Sequence, residues 1–387
     1  MARIIIFTGK GGVGKTSIAA AHARKASLEG KKTLIVSTDM AHNLSDLFET
    51  QIGKECVKVA NNLEALEIDP YYEMENYSNN IIKAMNLMFP KADGSANETE
   101  DLMMFPGIEE LFSLMRIQKL YEKGSYDVII VDCAPTGETL SLLKLPELLG
   151  WYMEKIFPIE KVAVRMLRPI SKKAFQIELP DRKTMNDIEG LYYELVKLQQ
   201  MIRDRESCSI RIVAIPEKMV VEECKKNYMY MNLYNFNVDG LIINRVIPET
   251  IENEFFLDWI ELQRKYANEL KAVFGEIPTN CVRWYEHELM GIDALDRVIE
   301  DSFKEEDLLC VRTVKVNEVF EKVNQGYVLK LFLPNADKKQ MELNSNGQEV
   351  LLKIGNYKRS IPLPSALRNL EITSAKFEED TLVVSLE

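Results

Sequence analysis

Near the N-terminus the residues Gly9-Lys10-Gly11-Gly12-Val13-Gly14-Lys15-Thr16 follow an apolar run, Ile4 to Phe7, and lead into a helical pattern from Ile18 to Ala26. A glycine-rich turn between those two patterns is what a strand needs in order to pass abruptly into a helix. The spacing is G-x-x-x-x-G-K-[ST], in which the glycines let successive backbone N–H groups turn inward around phosphate oxygens. The start of the helix adds its positive dipole end to the same anion site. Lys15 is placed to reach β and γ phosphates, Thr16 to ligate Mg²⁺, and Ser17 joins them among the candidate binding residues. Gly9, Gly11 and Gly14 also satisfy G-x-G-x-x-G, and Asp39 follows the second strand as the ribose-binding acid of a dinucleotide site would. Lys15 and Thr16 favour the Mg-triphosphate reading, because a dinucleotide needs neither, whereas a triphosphate with its metal needs both.

From Arg3 to about Ile247, strand-like runs alternate with amphipathic helical stretches, the signature of an α/β fold with a doubly wound, mostly parallel sheet. The expected strands are Ile4 to Thr8, Thr33 to Thr38, Leu66 to Ile68, Val128 to Val131, Arg211 to Ile215 and Val238 to Ile243. Val128-Ile129-Ile130-Val131 is apolar at every position, as a parallel strand covered on both faces should be. Two stretches, about 71–123 and 151–204, break the rhythm and read as helical insertions. After an acidic stretch at Glu305, Glu306 and Asp307 the texture changes to short β segments: Tyr327 to Leu333, Glu349 to Ile354 and Leu382 to Leu386. Asn346-Gly347 and Gly355-Asn356 supply hairpin turns. The expected division is therefore 1–305 for the α/β domain and 306–387 for a small all-β sandwich.

A length of 387 residues suits more than one domain. The net charge of −12 opposes a surface built to neutralise nucleic-acid phosphates, so nucleic acid is not an expected partner. The start of the chain lacks the pattern of a signal peptide and no stretch suits a bilayer span, which points to the cytoplasm. Cys56, Cys133, Cys208, Cys224, Cys281 and Cys310 are scattered, without C-x-x-C or zinc-finger spacing, so no zinc is expected.

Lys10 adds a second lysine near the start of the loop, and Gly-Lys-Gly-Gly-Val-Gly-Lys-Thr resembles the deviant phosphate loop of the MinD, nitrogenase iron protein and ArsA group. Ser37 to Asp46, Glu67 to Pro70 and Asp132 to Leu140 resemble successive motifs of one family within it, that of the ArsA arsenite-pump ATPase and the targeting ATPases for tail-anchored membrane proteins. Phe105 to Glu110, Pro216 to Met219 and Ile243 to Val246 extend the similarity over roughly residues 1 to 300. The resemblance implies an ATPase acting as a nucleotide-sandwich homodimer, with Lys10 reaching the partner's phosphates to offset developing charge. It further implies that Asp39 orients or deprotonates the attacking water, that Asp132 holds Mg²⁺ through water, and that Asn244 recognises adenine. The plainer alternatives are a helix cap or turn at Asp39 and Asp132 and a turn-forming Asn244. Three positions depart from the family's usual residues: Met40 for Pro, Glu138 for His and Ser141 for Arg. They bear on coupling rather than on nucleotide binding. Tyr327 to Pro334 and Asp380 to Val384 resemble the α-crystallin domain of small heat-shock proteins.

Three readings of the ATPase remain open at this level. The first is a chaperone or targeting factor that binds hydrophobic client segments. Its groove candidates are Met85, Leu87, Met88 and Phe89, then Met103, Met104 and Phe105, then Trp151, Met153, Ile156, Phe157, Met166 and Leu167, since flexible methionine suits varied apolar partners. The same residues also suit ordinary helix packing. Between Trp151 and Phe175 six basic residues stand against two acidic ones, a balance that fits transient contact with a membrane or membrane protein as well as a solvated face. The second reading is an arsenite-pump-driving subunit, which needs clustered thiolates that the cysteine spacing does not offer. The third is a nucleotide-locked regulatory scaffold, for which a water-activating Asp39 has no use.

Overall fold

The computed structural model describes residues 2–39, 43–75, 108–133, 182–312, 317–323 and 326–387. The groove candidates, the basic stretch and the departures at Met40, Glu138 and Ser141 lie outside the described residues.

Contacts divide the chain into two units, the first comprising Met1–Ile68, Tyr121–Gly137 and Ile202–Glu387. Its centre is an eight-stranded sheet. In chain order the strands are β1 (Arg3–Thr8), β2 (Thr33–Ser37), β3 (Val57–Ala60), β4 (Leu63–Glu67), β5 (Val128–Asp132), β6 (Cys208–Ala214), β7 (Val238–Val246) and β8 (Thr279–Arg283). The spatial order is β3-β4-β2-β5-β1-β6-β7-β8. Every neighbour pair is parallel except β3 with β4. Every residue of β1, β2, β5 and β6 is buried, because helices cover both faces and leave no solvated side. β1 lies between β5 and β6, so the phosphate loop leaves the middle of the sheet.

Two of these strands were not anticipated. β3 is a half-exposed edge of Val-Lys-Val-Ala, and β8 reads Thr-Asn-Cys-Val-Arg with only Val282 buried, so neither carries an apolar run. β4 starts earlier than expected, at Leu63, because its register with β2 runs from Thr33↔Leu63 to Ser37↔Glu67.

The helices of this unit are α1 (Lys15–Leu28), α2 (Asn43–Leu47), α6 (Lys218–Leu233), α7 (Glu254–Phe274) and α8 (Gly291–Ser302). His22 of α1 is buried edge-on between the rings of Phe7 and Phe303, each 4.7 Å away. A buried ionic cluster crosses three strands: Asp239 of β7 accepts from Arg3 of β1 at 2.9 Å and from Arg211 of β6 at 3.1 Å. The Arg211 guanidinium also donates to the Leu308 carbonyl at 2.7 Å, tying the segment after α8 to the sheet.

The C-terminal strands are β9 (Glu318–Val323), β10 (Gly326–Phe332), β11 (Met341–Ser345), β12 (Glu349–Ile354), β13 (Tyr357–Pro362), β14 (Ile372–Glu378) and β15 (Thr381–Leu386). They form two antiparallel sheets, β14-β15-β10-β9 and β11-β12-β13, as expected of a small β-sandwich. Here burial alternates along the strand, with Leu382, Val384 and Leu386 of β15 buried and the residues between them half-exposed. The sandwich docks against the end of α6: Arg359 donates to the Leu233 carbonyl and pairs with Glu318. Asn317 donates to the Phe236 carbonyl at 3.0 Å, and the Tyr230 and Tyr357 rings lie 3.7 Å apart.

The second unit, Asp69–Leu120 and Glu138–Met201, holds α3 (Pro70–Glu75) and most of α4 (Ile108–Lys123) and α5 (Arg182–Arg203). Arg116 pairs with Glu73 at 3.3 Å, and Gln118 donates to Glu194 at 3.3 Å. Both described parts of the expected insertions are thus helical. Among the described residues no helix is long and apolar enough to cross a membrane.

Candidate active site

The cleft that matters opens at the carboxyl ends of the central strands, where ligands of open α/β sheets bind. Its volume is about 630 Å³, and Gly11, Gly12, Gly14, Lys15, Thr16, Ser17, Asp39 and Asn244 line it. Two glycines shape the loop. Gly9 has φ +150°, and a Cβ there would sit 2.2 Å from the Val213 carbonyl oxygen, so the loop can lie against β6 only with glycine in this position. Gly14 has φ +89° and starts α1, and a Cβ on it would meet the Asn244 amide at 2.4 Å.

Lys15 is buried and its ammonium donates to the Lys10 carbonyl at 3.3 Å. Thr16 donates its hydroxyl proton to Asp132 Oδ2 at 2.6 Å. Asp132, the last residue of β5, is 1% exposed, and its Oδ1 has no hydrogen-bond partner among the described residues. Burial pushes its carboxyl up to about 6, opposed by the Thr16 hydrogen bond and the Lys15 charge and reinforced by Asp39. A desolvated carboxylate with one open oxygen beside a hydroxyl is an oxygen donor set that fits Mg²⁺, which keeps most of its shell for water and phosphate. Among the described residues no group of three His, Cys, Asp or Glu side chains forms a fuller metal cage.

Asp39 follows β2, its backbone N–H donating to Ser37 Oγ at 3.1 Å, and Asn43 donates to its Oδ2 at 3.3 Å. Asn244 is buried on β7 and donates from Nδ2 to the Val13 carbonyl at 2.9 Å. The next residue, Arg245, takes φ +53° where the β7–β8 register is interrupted. Lys10 forms a 3.5 Å ion pair with Glu223 of α6.

The fold therefore gathers Gly11, Gly12, Gly14, Lys15, Thr16, Ser17, Asp39 and Asn244 at one cleft, with Asp132 joined through Thr16 and Val13 through Asn244. The sequence reading missed the far wall, formed by Arg283 and the loop Trp284 to Met290. Recognising β8 would have found it, since that loop follows the strand's carboxyl end. Glu223 carried no sequence signal, and Asn43 and Asp46 entered only as part of the family motif Ser37 to Asp46.

A family model described as anion-transporting ATPase matches residues 2–303, and a second, described as an HSP20-like domain found in ArsA, matches 324–386. The chain is 34% identical over 392 residues to "Putative arsenical pump-driving ATPase 1" of Aquifex aeolicus, covering 99% of each chain. It is 34% identical over 388 residues to "Putative arsenical pump-driving ATPase" of Chlorobaculum tepidum, covering 100% of this chain and 96% of the other. Similarity to "ATPase ASNA1 homolog 2" of Paramecium tetraurelia is 27% over 310 residues, covering 76% of this chain and 92% of that one.

Proposed function

This chain belongs to the anion-transporting ATPase family, and from that premise we propose a cytoplasmic, Mg²⁺-dependent homodimer that couples ATP hydrolysis to binding and release of hydrophobic segments of other proteins. Hydrolysis of ATP follows from the family itself. The finer reading is supported above all by one juxtaposition: Lys15, Thr16 and Asp132 meet at a glycine-lined cleft that also presents Asp39.

In this reading the main-chain amides from Gly11 to Lys15 cradle the phosphates and Lys15 neutralises β and γ oxygens. Mg²⁺, when bound by Thr16 and through water by Asp132, would draw charge from the β and γ phosphates. Asp39 orients the attacking water or takes its proton. Asn244 holds the Val13 carbonyl with one amide hydrogen and offers its second and its Oδ1 to adenine. Lys10 exchanges Glu223 for the partner's phosphates on dimerisation, without a structural zinc. The α/β domain spans 1–305, and 306–387 forms the appended sandwich.

Steady-state hydrolysis with sedimentation tests this. A non-hydrolysable ATP complex should sediment as a dimer, and Lys10→Ala should abolish turnover while leaving ATP binding largely intact. Unchanged turnover in Lys10→Ala refutes the cross-subunit role. Crosslinking in cell extract should capture hydrophobic segments in one nucleotide state and not the other.

A second reading, service to an arsenical pump, is favoured by the names of two relatives. It requires arsenite to stimulate hydrolysis through thiolates, yet Cys133, Cys208 and Cys224 are buried, and no three-ligand group forms among the described residues. Stimulation by arsenite, lost on cysteine substitution, would favour it over client binding.

A further inference from the structure

Glu67 closes β4 next to the end of β2, in register with Ser37. Its side chain is 2% exposed. A carboxylate is expensive to desolvate, so one held at a strand end must make bonds that a neutral residue would not make as well. Each of its oxygens accepts from Ser45: Oε1 from the backbone N–H at 2.9 Å, and Oε2 from the hydroxyl at 2.8 Å. With its proton turned to Glu67, the Ser45 oxygen accepts from the Ile52 N–H at 3.1 Å. This clamps the first turn of α2, whose Leu44 and Leu47 are buried beneath it.

The same short helix begins at Asn43, which donates to Asp39. Among the bonds that hold Asp39, the Ser37 hydroxyl accepts from its backbone N–H, and Asn43, whose position is set by a helix that Glu67 holds, donates to its carboxylate. We infer that Glu67 is a positioning residue for hydrolysis: through Ser45 and α2 it sets where the Asp39 carboxylate stands over the phosphate loop. The inference rests on the reading of Asp39 as the water-orienting group. Glu67 does not line the cleft, so removing it should disturb the chemical step more than nucleotide capture.

Hydrolysis kinetics and ATP binding of the full chain carrying Glu67→Ala, Glu67→Gln, Ser45→Ala or Asp39→Asn test it. Glu67→Ala should lower kcat by about ten-fold or more while KM and ATP affinity stay within about two-fold, since a misplaced group of this kind costs up to about a hundred-fold. Glu67→Gln should recover most of the rate, its Oε1 accepting from the Ser45 N–H and its Nε2 donating to the Ser45 oxygen. Ser45→Ala should lower kcat less, and adding it to Glu67→Ala should do no further harm. A purely structural role would lower Tm without splitting kcat from KM, and Gln would not rescue. Should Glu67→Ala fail to fold, Ser45→Ala decides: an unchanged kcat there overturns the inference. If Asp39→Asn keeps full turnover, the reading of Asp39 fails and the inference falls with it. If Asp39→Asn is inactive while Glu67→Ala and Ser45→Ala keep their rates, the inference alone is wrong.

Discussion

The central sheet and the C-terminal sandwich solve the burial of β-strands in opposite ways. β1, β5 and β6 bury every residue, and where the sequence places Arg3, Arg211 and Asp239 inside, the two guanidinium groups share the one carboxylate. β12 and β15 bury every second residue, and the charged residues of β12, Glu349 and Lys353, stay out of the core. The buried cluster in the first depends on all three of its members, while the second depends on a row of aliphatic side chains. Damage should therefore propagate differently in the two regions.

The sharpest way to break this contrast is Asp239→Ala, which strands two guanidinium groups inside the sheet. Removing one partner of such a cluster costs about 3–5 kcal/mol, and urea unfolding followed by tryptophan fluorescence should register it, because Trp151, Trp259 and Trp284 all precede the sandwich. Replacing Arg3, Arg211 and Asp239 together by Met, Met and Leu should restore most of the loss, whereas a triple variant as unstable as the single one would mean that the charges themselves are required.

Leu329→Ala in the sandwich should cost about 3 kcal/mol through a cavity. Amide exchange should accelerate in β10 and β15 while the tryptophan-detected midpoint stays put. An equal drop in that midpoint would mean that the two regions unfold as one.

The smallest effect concerns acid. Burial, and then the Arg211 charge, hold His22 well below its ordinary 6.5, although its hydrogen bond to the Ile18 carbonyl pulls the other way. The unfolded chain then binds the proton more readily. Stability is complete above pH 6.5 and falls as the pH drops below it, at up to about 1.4 kcal/mol per unit, until the folded histidine itself titrates. The sandwich contains no histidine. His22→Phe should flatten the decline of the fluorescence midpoint between about pH 6.5 and 5, and an unaltered slope would assign the acid sensitivity to other groups.

The sequence was most readable where one physical demand dominates. An all-apolar run such as Val128 to Val131 can be little else than a doubly covered strand, and Lys15-Thr16 after four close glycines asks for a phosphate. It was least readable where tertiary neighbours supply the reason. β8 has one buried residue and no apolar pattern, so the wall from Trp284 to Met290 stayed hidden. Glu67 appeared only as part of a family motif, and its bonds to Ser45 need the β2–β4 register before they exist. Arg211 likewise looked like an ordinary strand residue until the fold put Asp239 beside it.

The seam at α6 has a practical consequence for anyone dissecting the chain. An excised fragment starting after the Arg312 region would strip the Tyr230 ring from Tyr357, the Phe236 carbonyl from Asn317, the Leu233 carbonyl from Arg359 and the Tyr234 hydroxyl from the Lys358 carbonyl in one cut. Such a piece would show solvent a surface that the whole chain keeps dry, and stickiness measured on it would describe the scalpel rather than the molecule.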